Sequence, residues 1–488
     1  MAFPKTAKET NSIEEIHLST ENPPKSKYDR SIVEGSLGRA VWKLAAPTML
    51  ANIFGGLQGL VDHIIVGNIV GYKGNAAIGV SWQIFLVVVV FVSSIFIGMS
   101  ILVARFVGAG EVDKVNRTVY QAFITAIFIA LAIIAPIGYF GAPILLNLVN
   151  AEAGVQAEAL PYLRIMFLFS SGMMIFFMLS GALRAAGDAK TPMFLGITMT
   201  ILNIIFNITL ISGFGPIPSF GVKGSAMGTC LASGIIALYS FWKLWHGGWV
   251  ISIHSKSGYA PDFTVIRKLF QFGLPAGIQG IAMNIGGVLM LSFIGSLAQS
   301  AAAQAAYAIG YSQLFSLITF TSVGLMGATS AIAGQNLGAK QVERANAAVH
   351  TAARFGLVGS AFLGFFFFFF PAQLLAIFGM REPAAVEIGV QLLRFLSISG
   401  IFVSVALAYT GGLQGTGDTK SPLYISIISQ VIIPLGICFV VRETIGLQPW
   451  HIWLAILAGH FTRCVLSIIR FNQGKWRNIK VELETTVG

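Results

Sequence analysis

Charge is scarce in this chain. Asp, Glu, Lys and Arg make up 10% of its 488 residues, against about 25% in a soluble domain. A water-facing surface cannot be assembled from so few, which excludes a soluble globular enzyme of this length. Cysteine is equally rare: Cys230, Cys438 and Cys464 all fall in apolar stretches, which excludes a disulfide framework and a cysteine metal site. His-Glu-x-x-His is absent, as are a Walker loop and a Gly-x-Ser-x-Gly paired with membrane His and Asp. No enzyme, cofactor, bound metal or ATP-driven pump on this chain is therefore expected. No cleavable signal peptide is visible either. Residues 1–37 are polar, with lysines, acids and Pro23-Pro24, and read as a disordered tail.

What is present is apolar. Hydrophobic residues make up 55% of the chain and the mean hydropathy is +0.77. Runs of about 20 apolar residues match the ~30 Å hydrocarbon layer of a bilayer, and 54 glycines suit close helix packing in lipid. The spacing predicts twelve transmembrane helices, over 41–66, 77–104, 118–145, 161–183, 193–213, 224–245, 266–294, 304–333, 346–370, 386–412, 423–441 and 449–471. The net charge of +11 sits in short loops between these spans, so it reports topology rather than nucleic-acid binding. Twenty-four Lys and Arg fall on the side of the termini and six on the other, which places both termini in the cytoplasm.

The chain also repeats itself. Gly108-Ala109 recurs as Gly338-Ala339 and Arg164 as Arg394, both shifted by 230. Gly187-Asp188-Ala189-Lys190-Thr191-Pro192 returns as Gly417-Asp418-Thr419-Lys420-Ser421-Pro422 at the same shift. Ala77-Ile78-Gly79 returns as Ala308-Ile309-Gly310, and Pro47 as Pro275. A shift of six spans gives both halves one orientation, the parallel repeat of many secondary transporters. The expected organisation is a tail (1–37), an N-terminal six-helix lobe (38–245), a connecting cytoplasmic loop (246–265), a C-terminal six-helix lobe (266–472) and a second tail (473–488).

Ionisable groups inside a membrane are costly and mark function. Of the 20 acids, Asp62 alone lies deep in a span. Burial disfavours the charged form of a carboxyl, so such a group suits proton binding and release. Span 5 carries Asn203 and Asn207, four apart and on one face. Thr229 and Ser225 of span 6 and Gln58 of span 1 complete a candidate pocket of the first lobe. Pro47 removes a backbone bond and lets span 1 bend. The repeat maps Asp62 onto Met290, and the second lobe offers neutral groups instead: Gln279, Asn284, Gln313, Tyr409 and Gln430. Phe365–Phe370 reads as lipid-facing bulk, and Arg463 near His460 as a side chain that snorkels to the surface. Asp188 and Asp418 read as residues that fix turns.

The paired Gly-Asp-x-Lys-[Thr/Ser]-Pro loops, Gly334-Gln335-Asn336-Leu337-Gly338-Ala339, and Ala46-Pro47 followed by Val61-Asp62 resemble the multidrug and toxic compound extrusion (MATE) family over about residues 38–472. The resemblance implies two lobes around a V-shaped cleft and cation-coupled export of amphipathic, often cationic, organic compounds by a monomer in the plasma membrane. It implies a role for the Pro47 bend in acid protonation. Many members carry an aspartate where this chain has Asn207. The sodium-coupled branch has a glutamate where Met283 stands and an aspartate in span 10, where residues near Val403 are apolar. Protons, rather than sodium, are the expected coupling ions, as in the DinF-like branch. The alternatives are a lipid or lipid-linked oligosaccharide flippase of the same superfamily, or a sodium-coupled exporter. Such flippases often have extra spans and an ionic cleft, and neither is read here. A major facilitator transporter would carry clustered bases in the loop after span 2, which Gly108–Lys114 lacks.

Overall fold

The computed structural model describes residues 28–149, 152–253, 260–479 and 481. A short helix α1 (Ser31–Glu34) leads into α2 (Leu37–Ile69) and α3 (Tyr72–Ala109). The first half continues with α4 (Val112–Leu148), α5 (Ala153–Leu168), α6 (Ser170–Ala185), α7 (Lys190–Ser212) and α8 (Val222–Trp245). The second half holds α9 (Phe263–Gly295), α10 (Ser300–Gly338), α11 (Val342–Phe369), the short α12 (Pro371–Ile377), α13 (Pro383–Thr416), α14 (Lys420–Thr444) and α15 (Pro449–Asn472). α5 and α6 form one rod bent by 51° at Phe169. Among the described residues ten helices are long and apolar enough to cross a membrane, or eleven with the bent pair. α3, 38 residues long, makes twelve and carries the apolar run 84–92 in its sequence.

The rods run a few residues beyond the expected spans at most ends. Of the expected tail 1–37, residues 1–27 lie outside the described residues, and residues 28–37 differ from the expectation of disorder. That segment has apolar side chains to bury, since Tyr28, Ile32 and Val33 are all packed away from solvent. Three rods widen into a π-helical turn, one of them at Ala308–Leu314, and the other two, at Ile129–Ile134 and Ile428–Ile432, share a setting. Each ends just before a proline, Pro136 or Pro434, whose missing N–H and ring a regular turn would not accommodate. Outward faces are apolar: Phe140 is 76% exposed and Phe362 64%. Within Phe365–Phe370 Phe367 alone is buried. Apolar exposure on this extent suits lipid and not water. The chain is an all-α, multi-pass membrane protein.

The two halves touch through backbone. α3 packs on α9 and α10, and α2 on α10. A Cβ at Gly108 would lie 1.9 Å from the Gln335 carbonyl oxygen, and one at Gly338 would lie 2.1 Å from that of Arg105. These contacts are reciprocal under the repeat, since Arg105 maps onto Gln335 and Gly108 onto Gly338. The pseudo-two-fold axis therefore passes between α3 and α10 at this crossing, which adjoins the face where the described chain begins and ends. Gln335 Nε2 adds a bond to the Ala185 carbonyl at 2.7 Å. The repeated loops cap their next helices alike: Asp188 accepts from Thr191 N and Oγ1, and Asp418 from Ser421 N and Oγ.

Candidate functional site

α2, α7 and α8 converge on a polar chain inside the first half. Asn207 Nδ2 donates to Asp62 Oδ1 at 2.6 Å and approaches Asn203 Oδ1 at 3.3 Å. Asn203 Nδ2 donates to Thr229 Oγ1 at 2.9 Å. One turn earlier on α7, Thr200 Oγ1 donates to Gln58 Oε1 at 3.2 Å and to its own helix at Gly196. Asn203 and Asn207 are fully buried, while Asp62 is partly accessible. The structure thus brings Asp62, Asn203, Asn207, Thr229 and Gln58 together. Ser225 is buried beside them in sequence, but its hydroxyl has no hydrogen-bond partner among the described residues.

Gly228 makes the room. A Cβ there would sit 2.1 Å from Asn207 Oδ1, so only glycine lets α8 approach so closely. Asn207 Oδ1 itself is buried without a partner among the described residues, an acceptor held in reserve next to a carboxylate. Next to the site, His63 Nδ1 pairs with Asn75 Oδ1 of α3. Pro47 lies inside α2, ten residues before Leu57, and the neighbouring Thr48 hydroxyl bonds back to the Leu44 carbonyl at 2.7 Å.

At the repeat-related position the second half is apolar. Met290 is buried, and Cys438 Sγ lies 4.0 Å from its sulfur. The remaining candidates there are scattered. Gln279 Nε2 donates to Ser426 Oγ at 2.7 Å, and Asn284 bonds its own helix at the Gly280 carbonyl. Gln313 sits exposed in a π-helical turn, Ala308–Leu314. Tyr409 is buried and its hydroxyl pairs with His350 Nδ1 at 2.8 Å. Gln430 Nε2 is buried with no partner among the described residues.

The MatE family model matches residues 47–209 and 275–440, one segment in each half. The chain belongs to the MatE family. Its similarity to a probable multidrug resistance protein NorM of Thermotoga maritima is 27% identity over 442 residues, covering 89% of this chain and 92% of that one. Multidrug resistance protein MdtK of Pectobacterium atrosepticum is 25% identical over 442 residues, with 88% and 94% covered. A solved structure of MATE in complex with MaL6 superposes with a TM-score of 0.85 at 19% identity, covering 94% of this chain and all of that one. An outward-facing MATE transporter of the MOP superfamily gives 0.84 at 21% identity, with 94% and 98% covered.

Three features of this MatE chain differ from what was expected of its sequence, and for different reasons. Thr200 shares the spacing of Asn203 and Asn207 on α7, so the pattern 200, 203, 207 was there to be read. Arg184 counts among loop bases in the sequence, yet it lies in the last turn of α6 and lines a cavity of about 270 Å³ between the halves. Nothing in sequence position distinguishes a helix-end base that faces inward from one that faces water. Arg463 corrects the expectation of a snorkelling side chain: it is 5% exposed, near Tyr311, with His460 stacked on Phe315 at 5.8 Å. The aromatic packing of α10 against α15 closes the route to the surface.

Proposed function

We propose that this chain is a secondary active exporter of amphipathic organic compounds, driven by proton antiport with Asp62 as the coupling group. The observation that carries the reading is the 2.6 Å bond from Asn207 Nδ2 to Asp62 Oδ1. A carboxylate there is held by an amide donor and can be neutralised by a proton without losing its partner. When Asp62 takes up a proton, its O–H needs an acceptor, and the unpartnered Asn207 Oδ1 supplies one once the amide turns over. The same side chain thus serves both protonation states. The names of the similar NorM and MdtK proteins support multidrug export, and the apolar Met290–Cys438 contact favours a single coupling site in the first half. We place two six-helix lobes at 38–245 and 266–472 around the seam, both termini in the cytoplasm, and the protein as a monomer in the plasma membrane.

The test uses proteoliposomes and initial export rates measured against pH. An inward proton gradient should drive export in sodium-free buffer. Asp62→Asn preserves shape and hydrogen bonding, so expression and folding should persist while gradient-driven export drops to background. Asp62→Glu should keep part of the activity. Strict dependence on sodium would sink proton coupling, and a pH-responsive, near-wild-type Asp62→Asn protein would remove Asp62 from the coupling role.

A further inference from the structure

The cavity between the halves carries one formal charge, and it is positive. Its wall comes from α2, α3, α6, α10 and α13, and no acidic side chain lines it among the described residues. Residues 87–92 of α3 contain no acid in their sequence. Arg184 Nε donates to the Ser180 carbonyl at 3.0 Å and its guanidinium lies 5.5 Å from the Phe96 ring centre. No carboxylate partners it among the described residues. An unpaired guanidinium in a low-dielectric setting is unfavourable until an anion reaches it. Gln414, Ser330 and Ser100 line the same cavity.

The rest of the wall is apolar and adaptable. Met173 and Met174 of α6, Met326 of α10, and Phe177 are among its members. Methionine repacks around ligands of varied shape. Met173 lies in the first turn of α6 and Arg184 in the last, about 16.5 Å apart along the helix at 1.5 Å per residue. The space therefore offers apolar side chains for an aromatic or aliphatic body, and a fixed cation for a head group.

We propose that this cavity binds amphipathic organic anions, with the carboxylate, sulfonate or phosphate of the substrate paired to Arg184. The assignment rests on the exporter reading and deepens it to a substrate class. It departs from the cationic compounds that the family resemblance implies, because a like charge at Arg184 repels them and nothing acidic in the wall compensates.

Fluorescein and rhodamine 123 share a three-ring body and differ in charge, so they make a direct probe pair. Fluorescence polarisation with the full-length purified protein should show fluorescein binding at least about tenfold more tightly than rhodamine 123. Arg184→Met should remove that preference by weakening fluorescein alone, and Arg184→Lys should retain part of it. Equal or tighter binding of rhodamine 123 by the wild type overturns the proposal, as does unchanged fluorescein affinity in Arg184→Met. If Arg184→Met does not fold, the wild-type preference and its competition by naphthalenesulfonate over naphthylmethylammonium decide the matter. Export assays in proteoliposomes keep the two readings apart. Rhodamine 123 exported under a proton gradient, with fluorescein ignored, leaves the exporter standing and removes the anion site. Fluorescein bound through Arg184 but neither dye exported does the reverse.

Discussion

Asp62 owes its setting to neighbours that carry no charge. Asn207, Asn203 and Thr229 pass one hydrogen-bond chain from α7 to α8, and Gly228 decides whether that chain fits. Gly228→Ala places a methyl group 2.1 Å from where Asn207 Oδ1 now lies. The expected result is a loss of about 1–3 kcal/mol of stability from overpacking, together with export reduced more than the stability loss explains. Thermal midpoints and initial rates on the same preparation measure both. Met290→Asn is the control. It changes the repeat-related position, where no charge cycles, so export should hold near wild type.

Between helices, the reciprocal contact of Gly108 with Gln335 and Gly338 with Arg105 holds α3 against α10 at the face where the described chain begins and ends. Side chains larger than hydrogen cannot enter either position without moving backbone. Gly108→Val should therefore part the two helices, break the Gln335–Ala185 bond, and shift the protein towards a state open on that face. Spin labels at residues 113 and 343, just past α3 and α10, should report a longer distance than in the glycine protein. An unchanged distance distribution would show that the crossing does not set the closed state.

Across the molecule, two straps span the seam between halves. At one end Ile32 packs at Gly187 of the first half, while Arg344 of the second half binds the Ile32 and Gly35 carbonyls. At the other, Ile479 packs at Gly417 of the second half, while Arg105 of the first half binds its carbonyl at 3.2 Å. Asp29, ahead of the spans, anchors the first strap to Lys43. Burial raises the proton affinity of Asp29, but hydrogen bonds from Lys43 and Ser31 outweigh it and hold the carboxyl below the ordinary range. A depressed folded-state value means the anchoring is complete at neutral pH and is lost as pH falls through that value. Hydrogen-exchange protection factors over residues 31–35, taken against the intrinsic rate at each pH, should fall on such acidification, and Asp29→Asn should show the same fall at neutral pH. Unaltered exchange in Asp29→Asn would remove that anchor from the strap.

The periodic part of this protein was legible before any fold. Twelve apolar runs, the 230-residue repeat and the lone intramembrane acid follow from composition and spacing, because a bilayer imposes length and hydropathy on each helix separately. Asn203 and Asn207 were readable for the same reason, since helical spacing alone puts them on one face. What a linear pattern cannot encode is which way a face turns once helices pack. Arg184 and Arg463 look in sequence like bases at membrane edges, yet both face inward, and the packing of α6 against α3 and of α15 against α10 decided that. The second-half polar residues scattered for the same reason: Gln279, Asn284, Gln313 and Tyr409 each found a local partner or an exposed position, and only tertiary packing could separate them.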